Sequence, residues 1–265
     1  MDLDLTGRRA LVTGSTAGIG LAIARELARL GAEVAINGRT AERVAEAMDQ
    51  LAAEVPEGRF LAATGDVGSE RGAGRLIAAV PDVDILVNNT GIFEPKPFFE
   101  IGDDDWRRFF EVNVLSGVRL ARHYTPRMVE RGWGRVVFIS SESALQIPVE
   151  MVHYGMTKTA QLAVARGLAE TVTGTGVTVN SVLPGPTLSE GVADFMRKMA
   201  PAGGEADLDA MGRAFIAENR PTSLLGRLIA PEEIASLVAY LCSPAASATT
   251  GAALRADGGV VRAIA

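Results

Sequence analysis

Short runs of β-favouring, mostly apolar residues recur along this chain, and stretches with helical spacing separate them. The runs are RALVT (9–13), EVAIN (33–37), RFLAAT (59–64), DILVNN (84–89), RVVFIS (135–140), VTVNSVL (177–183) and AALRAD (252–257). Most do not alternate polar with apolar residues, the pattern of strands covered on both faces. Strands alternating with helices favour a parallel, doubly wound sheet, because each parallel pairing needs a crossover and the crossover helices cover both faces. The expected fold class is therefore α/β, with about seven strands and helices on both faces.

The helical stretches have readable ends. The first runs to about Leu30 and stops at Gly31, a residue suited to the position after a helix. The second starts at about Thr40, a good N-cap. DDDWRRFFEVNVLSGVRLARHYTPRMVE reads as one long helix with Asp103 as its cap. Further helices are expected over 153–172 and over PEEIASLVAYLCS (231–243), the latter opening on proline. Residues 184–226, rich in Pro, Gly and Met, break this rhythm with fragments such as GVADFMRKM. Irregular segments of this length are usually lids or binding loops; a tolerated surface insertion is the alternative. No repeat or low-complexity linker divides the chain, so 1–265 reads as a single domain with a substrate-loop insertion at about 186–222.

Composition bounds the function. The 48% hydrophobic content supports a large core and not a disordered chain. A net charge of −6 argues against nucleic acid, which needs a basic footprint. The one cysteine, Cys242, has no partner for an internal disulfide and lies in an apolar helical pattern, so it reads as buried and structural. There is no signal-peptide pattern at the N-terminus and no apolar run long enough to span a bilayer, so the expectation is a cytoplasmic protein with no membrane partner.

TGSTAGIG (13–20) follows the first strand and opens the first helix. Glycine permits positive φ and close approach to a ligand, and a helix N-terminus offers free N–H groups and a positive dipole end to a pyrophosphate. Gly14, Ser15, Thr16, Gly18, Ile19 and Gly20 are thus candidate cofactor-binding residues. The dinucleotide fold usually carries an acidic residue at the end of the second strand. This chain reads INGRT there, with no carboxylate between Glu33 and Glu42. Gly38 leaves room and Arg39 can meet a 2′-phosphate with a charge-assisted fork, which favours NADP(H). NAD(H), held through backbone contacts with Arg39 facing solvent, is the alternative, and the glycine turn itself carries no basic residue.

HYGMTK (153–158) places Tyr154 and Lys158 four apart, on one face of a helix. Lowering a tyrosine pKa from about 10 to about 7 takes roughly 4 kcal/mol. An ammonium about 4 Å away, at an effective dielectric constant of about 20, supplies about that much. The pair therefore suffices for acid–base chemistry without histidine. His123 and His153 stand in no cluster of metal-ligand spacing and read as structural or substrate-adjacent, and no metal is expected.

TGxxxGxG, NNTG (88–91) and YxxxK (154–158), in this order over essentially the whole chain, resemble the short-chain dehydrogenase/reductase family. The resemblance implies one Rossmann-type domain, a nicotinamide cofactor, and hydride transfer between nicotinamide and a carbonyl or secondary alcohol. It implies Ser141, in FISSES, as the hydroxyl that bonds the substrate oxygen, chosen by spacing over Ser140 and Ser143. It implies Tyr154 as proton donor or acceptor, Lys158 as ribose ligand, and Asn113 as support for a water relay behind the lysine; in the plainer alternative Asn113 is an amide in a helix interior. Asp66 and Val67 match adenine contacts, and Asn88 and Gly91 lie by the adenosine ribose, with Thr90 where alanine is usual. Pro184, Gly185 and Thr187 match the segment that grips the carboxamide.

Substrate contacts are expected from Gln146, Ile147, Val149 and Met151, and from Phe195, Met196 and Met199, unless these are ordinary core packing. The chain resembles the branch labelled 3-oxoacyl-carrier-protein reductase, so the expected activity is a ketone reductase of 3-oxoacyl type acting on a small molecule. A dehydrogenase or reductase of another small alcohol (sugar, polyol or steroid-like ring), or a nucleotide-binding regulatory protein without turnover, are the alternatives. The resemblance also implies a homotetramer; a light-scattering mass near the monomer's 27.8 kDa would overturn this.

Overall fold

The computed structural model describes residues 1–189, 192–193 and 207–264. The strands are β1 (Arg9–Val12), β2 (Glu33–Ile36), β3 (Arg59–Ala62), β4 (Ile85–Asn88), β5 (Gly134–Ile139), β6 (Val177–Pro184) and β7 (Ala253–Ala256). They form a seven-stranded, all-parallel sheet in the order β3-β2-β1-β4-β5-β6-β7. The order reverses between β1 and β4, where Val12 pairs with Val87. The residues just beyond that pairing lie at the carboxyl ends of the strands, where such sheets take their ligands.

The helices are α1 (Gly18–Arg29), α2 (Ala41–Glu54), α3 (Glu70–Ala79), α4 (Asp103–Phe110), α5 (Ser116–Glu130), α6 (Val152–Thr171), α7 (Leu208–Asn219) and α8 (Pro231–Cys242). Successive strand residues feed opposite layers. Val12, Ile36, Val87 and Val137 pack with α1 and α8, whereas Leu11, Ala35, Leu86 and Val136 pack with α3, α5 and α6. This division explains the continuously apolar runs. Gly31 follows the end of α1 at φ 96°, and Thr40 caps α2 by accepting from the Arg43 amide at 3.4 Å.

The helical stretch from Asp103 runs unbroken to Glu130 as α4, a π-helical turn over Glu111–Leu115, and α5. Its N-cap is Gly102; Asp103 is the first helical residue, and Asp104 and Asp105 complete an acidic first turn, favourable at the positive end of the helix. The sequence reading also passed over α3, which Ser69 caps by accepting from the Gly72 amide at 3.1 Å. The GVADFMRKM fragment lies largely outside the described residues, as do Phe195, Met196 and Met199. Residues 184–226 nevertheless carry α7.

Cys242 is fully buried, and burial pushes its thiol up to about 12. It therefore keeps its proton at neutral pH. Among the described residues no helix is long and apolar enough to cross a membrane, and no group of His, Cys, Asp or Glu is placed to hold a metal ion.

Candidate active site

The glycine turn is built from its hydrogen bonds. Gly14 adopts φ 60°, a left-handed conformation that costs glycine little. A Cβ on Gly20 would lie 2.4 Å from the Gly14 carbonyl oxygen and 2.6 Å from Asn89 Nδ2, so helix α1 meets the turn at backbone contact distance. Asn89 Nδ2 donates to the Thr13 and Gly14 carbonyls at 2.9 and 3.1 Å. Thr13 Oγ1 accepts from the Asn89 and Thr90 amides at 2.9 and 3.0 Å. On the other side, Asn37 Oδ1 accepts from the Gly14 amide at 3.1 Å, and Asn37 Nδ2 donates to the Ala63 and Gly65 carbonyls at 2.7 and 3.0 Å.

Ser15 is turned into this framework. Its amide donates to the Asn37 carbonyl at 2.9 Å, and its hydroxyl donates to the Val12 carbonyl at 2.7 Å. Those donors are spent within the protein, so Ser15 shapes the cradle and offers it no ligand group. The first amide to find an intrahelical partner is that of Leu21, on the Ala17 carbonyl at 3.2 Å. The amides of Gly18, Ile19 and Gly20 thus stand as the unpaired first turn of a helix, the donor set that suits a pyrophosphate. Thr16 packs against Gly38, where a Cβ would fall 2.6 Å from the threonine methyl. Arg39 follows, exposed.

Asp66 is exposed beyond β3 and accepts from the Gly68 amide at 3.1 Å, while Val67 is buried. Gly91 lies beside Lys158 and Asn113. Asn88, at the end of β4, is buried with neither side-chain polar atom bonded within the protein. Beyond β6, the Gly185 amide donates to the Ala256 carbonyl at 3.0 Å, and Thr187 Oγ1 donates to the Gly185 carbonyl at 2.9 Å. Pro184 ends β6, and Gly185 and Thr187 follow it at the same end of the sheet.

Ser141, Tyr154 and Lys158 meet at the carboxyl end of β5. Ser141 caps a short turn over Glu142–Ala144, its Oγ accepting from the Ser143 amide at 3.1 Å. That leaves its proton to donate elsewhere, and its hydroxyl acts to lower the pKa of the Tyr154 phenol. Ser140 and Ser143 are committed: Ser140 Oγ donates to the Lys158 carbonyl at 2.8 Å, and Ser143 Oγ donates to the Glu142 carboxylate. Lys158 is buried, and its Nζ donates to the Ile139 carbonyl at 2.9 Å. An ammonium carries three donors. The others are what ribose hydroxyls would take, so these residues fit a nicotinamide nucleotide.

Lys158 Nζ stands 5.6 Å from the centroid of the Tyr154 ring. Burial raises Tyr154 to about 12, which the Ser141 hydrogen bond opposes; Glu142 raises it further and Arg220 draws it back. Burial also pulls Lys158 down to about 7. Both side chains are desolvated together, and desolvation favours the neutral form of each.

Asn113 sits in the π-helical turn, 1% exposed. Its Oδ1 accepts from the Ile92 amide at 2.8 Å, and its Nδ2 donates to the Ile92 carbonyl and to Thr157 Oγ1, both at 3.0 Å. Its own carbonyl accepts from Gln161 Nε2 at 2.6 Å, which takes one of the lone pairs a water relay would use. Asn113 thus ties the loop after β4 to α6 at Thr157, the residue before Lys158. His153 points away from Tyr154 and is fully buried, its ring 3.9 Å from that of Phe109. His123 lies at the surface, with Nε2 3.1 Å from the Pro81 carbonyl. Phe93 meets the Tyr154 ring edge-on at 6.4 Å, and with Leu145, Ile147 and Val149 supplies exposed apolar surface near the site.

Asn37, Asn89, Gln161 and Arg220 were missed by sequence reasoning. The first two had a signal, a polar residue at the carboxyl end of an apolar strand. Gln161 and Arg220 had none, because their partners lie 48 and 78 residues away.

A family model described as short chain dehydrogenase matches residues 8–200. An uncharacterized oxidoreductase of Bacillus subtilis, YvaG, is 54% identical over 100% of both chains. A 3-oxoacyl-acyl-carrier-protein reductase of Aquifex aeolicus is 31% identical over 98% of this chain and 100% of its own. Among solved structures, the L-sorbose reductase of Gluconobacter frateurii, complexed with NADPH and L-sorbose, superposes with a TM-score of 0.92 at 30% identity, covering 100% of both chains.

Proposed function

This chain belongs to the short-chain dehydrogenase family, and from that premise we propose that it reduces a ketone of 3-oxoacyl type to a secondary alcohol with NADP(H). It is an oxidoreductase with a nicotinamide cofactor. The carrying observation is the placement of Ser141 just beyond the carboxyl end of β5, with Tyr154 and buried Lys158 four residues apart on α6. When bound, the cofactor supplies the hydride. Tyr154 gives its proton to the substrate oxygen, and Ser141 donates a hydrogen bond to that oxygen as charge develops. Lys158 holds ribose hydroxyls with its remaining donors. The amides of Gly18, Ile19 and Gly20 hold the pyrophosphate, Asp66 and Val67 border the adenine, and Arg39 pairs with the 2′-phosphate.

Kinetics with NADPH and NADH in parallel, against a panel of ketones including a β-ketoacyl thioester, test this reading. Arg39→Ser is expected to raise KM for NADPH about tenfold, the worth of one charge-assisted hydrogen bond, and to leave KM for NADH nearly unchanged. Equal KM values for the two cofactors in the wild-type protein would remove the NADP(H) assignment. Turnover of other ketones with none of the thioester would remove the 3-oxoacyl assignment.

A second reading, a sugar or polyol as substrate, draws support from two observations. One is the likeness to the L-sorbose reductase. The other is the charged cluster of Glu142, Arg220 and Glu150 near Tyr154, whose groups hydrogen-bond hydroxyls. Ketoses in the same panel decide between the two.

A further inference from the structure

We propose that Glu142 and Arg220 are a positioning pair for Tyr154: together they dock the chain after α7 against the catalytic serine and balance the charge beside the phenol. The proposal rests on the reading of Tyr154 as the proton-transfer group. Glu142 directly follows Ser141 and is 3% exposed. A carboxylate so buried is costly unless every lone pair finds a donor. Oε1 accepts from Arg220 Nε at 2.9 Å, and Oε2 accepts from the Ser143 hydroxyl.

Arg220 comes from the far end of the irregular segment. Its amide ends α7 on the Ile216 carbonyl at 2.9 Å, and its Nη1 donates to the Asn219 carbonyl at 2.7 Å and reaches Glu150 Oε1 at 3.5 Å. One guanidinium thus joins the turn after β5, the segment before α6 and the chain after α7.

An apolar pair of similar volume would hold these segments about as well as a buried ion pair, whose Coulomb energy is largely consumed by desolvation. The use of charge lies in what faces it. Tyr154 shares its helix with Lys158 and meets uncharged Phe93, from the loop after β4, edge-on. The turn that carries Ser141 and Glu142 packs on the next residue, Gly155, where a Cβ would lie 3.1 Å from the Ser143 carbonyl, and Arg220 joins that turn through Glu142 at 2.9 Å. Glu150 acts through Arg220. Glu142 disfavours the phenolate and Arg220 favours it, so with the pair intact their effects oppose. With Arg220 undocked, Glu142 acts alone, and the phenol yields its proton less readily. Docking of the chain after α7 is thereby coupled to proton transfer.

The two halves of the pair predict opposite effects. The pH profile of kcat/KM for alcohol oxidation, on full-length enzyme with saturating cofactor, is to be measured for wild type, E142Q, R220Q and the double variant E142Q/R220Q. Tyrosinate absorbance, with the Y154F signal subtracted to remove Tyr124 and Tyr240, reads the same group without turnover. E142Q is expected to move both midpoints down by roughly one pH unit and R220Q up by a similar amount, with the double variant close to wild type. Singles that move together, or not at all, overturn the proposal, since loss of packing alone lowers rates without opposite displacements. If R220Q fails to fold around an unpaired Glu142, E142Q against the double variant carries the sign. Full activity in Y154F would remove the functional reading instead, while the absorbance titration would still report on the pair.

Discussion

Tyr154→Phe is expected to lower kcat/KM for ketone reduction by about 10²- to 10⁴-fold and to leave cofactor affinity within a few-fold of wild type. The size of the loss follows from the lack of a substitute among the described residues. His153, the adjacent histidine, is fully buried and packed on Phe109, facing away from the site. Lys158 donates a hydrogen bond to the Ile139 carbonyl, with its Nζ 5.6 Å from the centroid of the tyrosine ring. Ser141 keeps its hydrogen bond to the substrate oxygen, but its hydroxyl is far too weak an acid to replace a phenol. Steady-state kinetics with cofactor titration by fluorescence check the result. Retention of more than about a tenth of the activity would mean another group supplies the proton.

The pH dependence has a definite sign. Burial holds Tyr154 at about 12, so at neutral pH the phenol keeps its proton and is a ready acid. Reduction is expected to be flat through neutrality as far as this group is concerned. Oxidation of the alcohol needs the phenolate and is expected to rise with pH. Lys158, pulled down to about 7 by burial, is charged below that value and increasingly neutral above it.

Gly20→Ala is expected to destabilise the fold by about 1–3 kcal/mol and to weaken cofactor binding roughly 10- to 100-fold. Glycine-to-alanine exchange inside a helix normally stabilises by up to about 1 kcal/mol, so the sign itself is diagnostic. The added methyl would lie 2.4 Å from the Gly14 carbonyl oxygen and 2.6 Å from Asn89 Nδ2. The first is backbone, and the second is held by hydrogen bonds to the Thr13 and Gly14 carbonyls, so neither swings aside. The start of α1 must move, carrying the Gly18, Ile19 and Gly20 amides away from the turn. Thermal melting and a binding titration measure both effects. An alanine variant as stable as wild type with unchanged cofactor affinity would show that the close approach of helix and turn is dispensable.

Much of this architecture is legible along the chain because it is written in local spacing. Each strand run matches an observed strand to within a residue or two, and the Thr40 cap and Gly31 stop fall as read. Tyr154 and Lys158 share a face because a helix returns to the same side every four residues. Less legible was α3, whose small residues and glycines (ERGAGRLIAA) weaken the helical pattern. The π-helical turn at Glu111–Leu115 was hidden for another reason: one extra residue in the hydrogen-bonded ring leaves the composition of a long amphipathic helix unchanged.

By itself, then, the sequence determined the seven strands in chain order, the glycine turn between β1 and α1, and the shared helix face of Tyr154 and Lys158. These follow from side-chain periodicity and short-range sterics, which act over a few residues. Only the tertiary structure decided that Ser15 turns inward and that Asn113 spends its amide on Ile92 and Thr157. It also decided that Arg220 returns to Glu142 and that Tyr154 and Lys158 are both driven toward their neutral forms. Partner choice and proton affinity depend on everything packed around a group, and desolvation, the largest influence on both residues, comes into being only when distant segments close over them.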